Sequence, residues 1–375
     1  MAERLVLDVV LDVPVDEWHD LRDRLRRTRR GPRWPVDGWA AGTDAATLDA
    51  LVDYWADGFD WFEQQRTINE LPWHTAELRG TPLRYLRFDS ERPGGLPLVL
   101  TNGWPSTAVE LVQLARRLAT PSVYGGSASD SFTVIVPALP GFPLSPQRPS
   151  HDEQTHELWH ELMHEVLGFE RYGAHGGDLG AGITSRLAEA HPDAVVGIHL
   201  LAVATPTVDD ESTLTENEKT HVDAMRTWQQ TEGAYQLQQQ TRPLSLAPAL
   251  SDSPAGLLAW ILEKYRAWSD GEGIPFSDDF LLTQASLYWF TNSISTSFRP
   301  YWEFAAGITT RVRDVTVPTA LALFPHDLSH APRSWAERGY NLVRYTEMPR
   351  GGHFAPHEEP GLLADDLTAF FRGLQ

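Results

Sequence analysis

Apolar and polar positions follow two different rhythms along this chain. Up to about residue 80, "DEWHDLRDRLRRT" and "AATLDALVDYWADGFDWFEQQRTI" carry apolar residues at helical spacing, separated by the Pro/Gly/Trp segment "GPRWPVDGW". No strand–turn–helix rhythm is present there, which predicts a helical and irregular preface laid over another unit. From about residue 82 short, nearly all-apolar runs begin: "LRYLRF", "PLVLT", "FTVIVPAL", "RYGAHG", "VVGIHLL", "TALALF" and "LVRYTEM". Their β-branched and aromatic content marks them as strands, and helical patterns such as "STAVELVQLARRLA" and "DLGAGITSRLAEAHP" fall between them. This alternation predicts an α/β fold whose mostly parallel sheet is covered on both faces. From 205 to 305 polar helical stretches rich in Gln and Trp replace the alternation and read as an insertion. The expected segments are therefore a preface at 1–80, a first core part at 81–204, a helical lid at 205–305 and a second core part at 306–375.

Charge and composition narrow the partners. A formal net charge of -20 repels phosphate backbones and argues against nucleic acid. The chain has no cysteine, which excludes disulfides, thiolate catalysis and thiolate-bound metals. The first apolar run is broken by Asp8 and Asp12 and is too short to span a bilayer, and no leader pattern accompanies it. A cytoplasmic protein off the membrane is expected.

The chemistry gathers where strands end. After "RYGAHG" come Gly176-Gly177-Asp178-Leu179-Gly180 and then a helical run. Small residues two positions either side of a central residue, between strand and helix, define a nucleophile elbow with aspartate in the serine position. An aspartate there would equally serve as an N-cap. Other loops favour the elbow. "TNGWPS" follows the strand "PLVL", where a hydrolase of this fold supplies half its oxyanion hole, and "PALPGF" follows the next strand. Asp327 ends "ALFPHD", and His353 stands on the glycine-flanked loop "MPRGGHFAPHEEP". The order nucleophile, acid, histidine is that of an α/β-hydrolase triad. Glu347 and Glu358 compete with Asp327 for the histidine, but only Asp327 follows the strand preceding the histidine's own.

On these motifs the chain resembles the microsomal-type epoxide hydrolases, in a form without the membrane anchor of the animal members. "NGWPST", "PALPGF", "HGGDLGA" and "RGGHFAPHEEP" match the core motifs of that family, and "RWP…GW" with "YWADGFDWFEQQRTINELPWHTAELRGTPLRYLRF" resembles its N-terminal meander. In the lid, "EGAYQLQQQTRPLSLAPAL" and "LYWFTNSISTSFRPYWE" match its two tyrosine-bearing segments. The resemblance implies an α/β-hydrolase fold with Asp178 as nucleophile, His353 and Asp327 as base and acid, and Tyr235 and Tyr301 as donors to the epoxide oxygen. It further implies an oxyanion hole from the backbone N–H groups of Trp104 and Leu179. The product would be a vicinal diol, the partners a small epoxide and water, and neither cofactor nor metal would be needed. A homodimer is left open. The chain departs from the family pattern at Asn102 (usually His), Leu179 (usually Trp) and Pro143-Leu144 (usually Gly-Phe), which points to an altered substrate. Relatives in enediyne antibiotic pathways open aryl epoxides, so a bulky aryl epoxide of secondary metabolism is expected. Two rivals stand beside this reading: a haloalkane dehalogenase, which would want an N–H donor side chain where Leu179 stands, and a catalytically silent binding protein on the same scaffold.

One motif competes. "HELWHELMHEVLG" (156–168) contains H-E-x-x-H twice, a zinc-protease pattern. Leu158, Trp159, Leu162, Met163 and Val166 form an apolar stripe, which predicts a surface helix on the sheet's flank, remote from the catalytic edge. Its His156, Glu157, His160, Glu161 and His164 would then face water.

Overall fold

The computed structural model describes residues 10–374 apart from 207 and 209. The first nine residues, in which the preface begins, lie outside it. Eight strands form one sheet: β1 (Trp73–Leu78), β2 (Thr81–Phe88), β3 (Pro97–Thr101), β4 (Thr133–Pro137), β5 (Tyr172–Gly176), β6 (Val195–Leu200), β7 (Val315–Leu323) and β8 (Tyr340–Glu347). Their spatial order is β1-β2-β4-β3-β5-β6-β7-β8. The β1/β2 and β2/β4 pairs are antiparallel, and all others are parallel. Central strands are buried along their whole length, as expected where helices cover both faces.

The sheet starts earlier than the sequence reading has it. "WHTAEL" pairs with β2 from Trp73↔Leu86 to Leu78↔Thr81. Its polar residues sit on an edge strand with one wet face, so it lacks the apolar run that marks its neighbours.

The helix over the doubled H-E-x-x-H motif also differs from expectation. Thr155–His160 is α-helical, but Glu161–Val166 forms a wider π turn. The changed residue spacing leaves Val166 exposed while Leu158, Trp159, Leu162 and Met163 stay buried. His156 is buried rather than wet. The helix leaves the loop after β4, so its first turn stands at the sheet's C-terminal edge, and Gln154, Thr155 and His156 line the cavity described below. His156 and His160 are engaged separately: His156 lies 3.2 Å from Glu157, whereas His160 bonds the Tyr172 hydroxyl at 3.0 Å and stacks on His191 at 3.6 Å.

Between β6 and β7 the chain runs through helices from Glu216 to Ala305 that roof the C-terminal edge of the sheet. The N-terminal helices Val15–Arg26, Ala45–Asp57 and Trp61–Asn69 brace this roof from outside. The Trp55 indole donates to Ser286 Oγ at 3.1 Å in the core, and Thr43 donates to the Ala259 carbonyl at 2.7 Å. Asn69 accepts from the N–H groups of Val10 and Leu11, fixing the start of the described chain. Among the described residues no helix is long and apolar enough to cross a membrane.

Candidate active site

Glycines build the elbow. Asp178 holds φ 51° and ψ -126°, a strained conformation between β5 and the helix Leu179–Ala190. A Cβ on Gly176 would lie 2.2 Å from the Gly180 carbonyl oxygen, and one on Gly180 would lie 2.2 Å from that of Thr101. The turn therefore closes, and the helix docks on β3, only with hydrogen at both positions. Gly103 serves the same end, since its Cβ would lie 2.3 Å from the Asp178 carboxylate.

Oδ1 of that carboxylate accepts the Trp104 N–H at 2.8 Å, and the Leu179 N–H adds to its hold. Its other oxygen, Oδ2, lies 3.7 Å from His353 Nε2. On the far side of the ring, His353 Nδ1 meets Asp327 Oδ1 at 2.6 Å. The Leu328 N–H fixes the same Asp327 oxygen at 2.6 Å. Glu358 instead accepts from the backbone of Asp270 and Phe354, while Glu347 is exposed, so Asp327 alone of the three candidate acids reaches the histidine. The histidine loop is clamped by the roof. The His353 N–H bonds the Trp268 carbonyl at 2.8 Å, and a Cβ on Gly352 would lie 2.5 Å from that same oxygen.

Burial works against the imidazolium, but Asp327's charge and hydrogen bond override it, with Asp178 behind them, and raise the His353 pKa to about 9. Burial raises Asp178 as well, against the pull of His353 and the two N–H donors.

Tyr235, on the helix Ala234–Thr241, stacks on Trp104 with ring centres 5.5 Å apart. Tyr301, on the helix Arg299–Ala305, meets Tyr235 edge-on at 6.2 Å. The Tyr301 hydroxyl is buried and interacts with the Tyr235 phenol, but no group among the described residues lies at ordinary hydrogen-bond distance from it. Burial, reinforced by the Asp178 charge, holds both phenols well above the usual tyrosine range, so they remain proton donors. Asp178, Leu179, Tyr235 and Tyr301 all line one cavity of about 560 Å³, together with Phe142, Trp228 and Phe304.

Asn102 is buried and donates to the carbonyls of Gly103 and Ser106, both at 2.9 Å, shaping the loop that presents the Trp104 N–H. Sequence reasoning passed over Glu110. It is buried, accepts from Ser106 at 2.8 Å and from Tyr265 at 3.1 Å, and has its pKa pushed up to about 7 by burial. It ties the loop of Trp104 and Ser106 to the roof. Its position in "STAVELVQ" resembles that of any exposed helical glutamate, and no signal in the sequence marks it.

The sheet order, the strained elbow and the roof define an α/β-hydrolase. A family model described as alpha/beta hydrolase family matches residues 98–366, and one described as epoxide hydrolase N terminus matches residues 7–111. The chain is similar to a Stigmatella aurantiaca protein that carries the name epoxide hydrolase, with 37% identity over 97% of this chain and 84% of that one. It is 31% identical to epoxide hydrolase 1 of Sus scrofa over 95% of this chain and 86% of the other. Among solved structures, the Aspergillus niger epoxide hydrolase superposes with a TM-score of 0.84 at 29% identity, covering 97% of this chain and 95% of that one. The chain belongs to the epoxide hydrolases of the α/β-hydrolase family.

Proposed function

We propose that the protein opens a bulky aryl epoxide to a vicinal diol through a covalent ester on Asp178. The observation that carries this reading is the pair of buried phenols, Tyr235 and Tyr301, lining the same cavity as Asp178, with no group among the described residues at ordinary hydrogen-bond distance from the Tyr301 hydroxyl. With Oδ1 held by the Trp104 N–H, and the Leu179 N–H also on the carboxylate, Oδ2 attacks an epoxide carbon. The C–O bond breaks, and the alkoxide takes a proton from a phenol. Forming a neutral ester removes the Asp178 charge that favours the imidazolium, so His353 gives up its proton more readily to solvent while the phenol regains one. Neutral His353 then takes a proton from water as the water oxygen attacks the Asp178 carboxyl carbon. The oxyanion develops on Oδ1, where the Trp104 and Leu179 N–H groups already point. Collapse releases the diol, which keeps the former Oδ2, and restores the carboxylate–imidazolium pair. The ring-lined cavity and the leucine at 179 support a wide, aromatic substrate.

Intact-mass spectrometry tests the two steps. His353→Gln mixed briefly with styrene oxide is expected to gain the mass of one whole epoxide, mapped to the peptide holding Asp178, and to stall there. Asp178→Asn is expected to show no early adduct. An unmodified His353→Gln protein would point to direct attack by water and overturn the covalent route.

A further inference from the structure

Of the four arginines around the cavity, three are accounted for. Arg148 and Arg299 share Glu303, which Arg299 meets at 2.7 Å, and Arg311 is exposed with its guanidinium over the Phe304 ring. Arg186 is different. It lies on the nucleophile's own helix, half-buried in the cavity wall, and forms no ion pair among the described residues. Among the described residues its side chain makes one hydrogen bond, a long one of 3.5 Å to the Thr310 carbonyl. The nearest acid on its helix, Glu189, acts on it only through space without an ion pair, one of its oxygens holding the backbone N–H groups of Arg313 and Asp314. The fork is folded back over Gly182, where a Cβ would lie 3.4 Å from Nη2 and 3.6 Å from Nη1. Gly182 and Arg186 both line the cavity, and the absent side chain at 182 leaves the guanidinium uncovered on that side. A guanidinium stays charged at neutral pH, and enclosing it without a counter-ion costs free energy that an apolar side chain would avoid. Burial depresses even its pKa, to about 10. What it lacks is a paired anion, and the cavity it lines is where one can enter.

We infer that Arg186 is a specificity residue that receives a carboxylate carried by the epoxide substrate. The inference rests on Asp178 as the reacting end of the cavity. Gly182 stands four residues beyond Asp178, so the fork lies about 6 Å further along the helix at 1.5 Å per residue. A substrate whose carboxylate sits one ring's length from the oxirane spans that interval, with the aromatic side chains flanking the ring. The planar fork pairs with a carboxylate through two parallel N–H···O bonds, which a lysine ammonium cannot reproduce.

The test compares 4-carboxystyrene oxide with its methyl ester. Wild type is expected to favour the carboxylate in kcat/KM by roughly ten- to a hundredfold, the span of a charge-assisted hydrogen bond. Arg186→Met is expected to erase the preference, and Arg186→Lys to keep only part of it. The ratio is read within each variant, so a general loss of rate does not imitate the result. Because the cation lacks a partner, the thermal midpoint of Arg186→Met is expected to equal or exceed that of wild type, whereas a structural arginine would lower it. A wild type indifferent to the carboxylate, or an Arg186→Met protein that keeps the preference, overturns the proposal. If wild type turns over neither epoxide, the reaction assigned to Asp178 fails. Calorimetric binding of the two corresponding diols to wild type and Arg186→Met then gives the carboxylate ratio on its own.

Discussion

Among the described residues the buried Tyr301 hydroxyl has only the Tyr235 phenol near it, and no partner at ordinary hydrogen-bond distance, so a substrate oxygen would complete its bonding. Tyr235→Phe and Tyr301→Phe preserve shape and remove one donor each. Both are expected to slow ester formation roughly ten- to a thousandfold in rapid-mixing experiments, with the hydrolytic step much less affected. Unchanged ester formation in both would remove the tyrosines from the reaction. On the proposed covalent route, His353 would give the two steps different pH dependence. In the resting enzyme its pKa is about 9, held up against burial by Asp327 and then by Asp178. An ester on Asp178 would remove its contribution, so the pKa governing hydrolysis is expected below that of the resting enzyme, with the hydrolytic rate rising as pH increases through it. Single-turnover rates across pH 6–9 would show this. At this scale the sequence was legible where backbone geometry restricts residue choice, as at Gly176, Gly180 and the glycines before His353. It was opaque where a residue's importance comes from its surroundings. Arg186 sits in "GITSRLAEA" like an ordinary helical arginine, and the tyrosines emerged only through family likeness.

Among the elements, the C-terminal helix Pro360–Phe371 does more than cover the sheet. Its Asp366 accepts from His199 on β6 at 3.0 Å, and from Arg344 and Thr346 on β8. His199 in turn meets His175 on β5 at 3.1 Å. A polar chain thus crosses the buried side of three strands. Burial raises the Asp366 pKa, but the bonds from His199, Arg344 and Thr346 outweigh it and set the carboxyl well below its usual range. A depressed folded-state pKa means stability that is present above the unfolded value and is lost as pH falls. Asp366→Asn is therefore expected to cost on the order of 2 kcal/mol at pH 7 in urea unfolding, and the gap to wild type is expected to narrow as pH falls through 4. A gap constant with pH would deny Asp366 its charged role. The apolar strand runs announced most of this sheet. They did not announce β1, whose pattern is that of an edge, nor the π turn at Glu161–Val166, which no helical periodicity anticipates.

For the whole molecule, the N-terminal helices and the roof share one hydrophobic core with the sheet. Trp55 is fully buried at their junction, and Trp55→Ala is expected to cost about 3–5 kcal/mol while unfolding remains a single transition. Two separated transitions would show that the preface and the sheet fold independently. The sequence disclosed the preface and the insertion as departures from the strand–helix rhythm. It did not disclose that they touch, since contacts such as Thr43 with Ala259 join residues more than two hundred positions apart. That contact limits how the protein can be re-engineered. The roof is an arch whose outer buttress is the beginning of the chain, so transplanting residues 216–305 alone onto another hydrolase core would strip Ser286 and the Ala259 carbonyl of their partners. The smallest portable substrate module is the arch together with its buttress, two stretches separated in the sequence that would have to be exchanged as one.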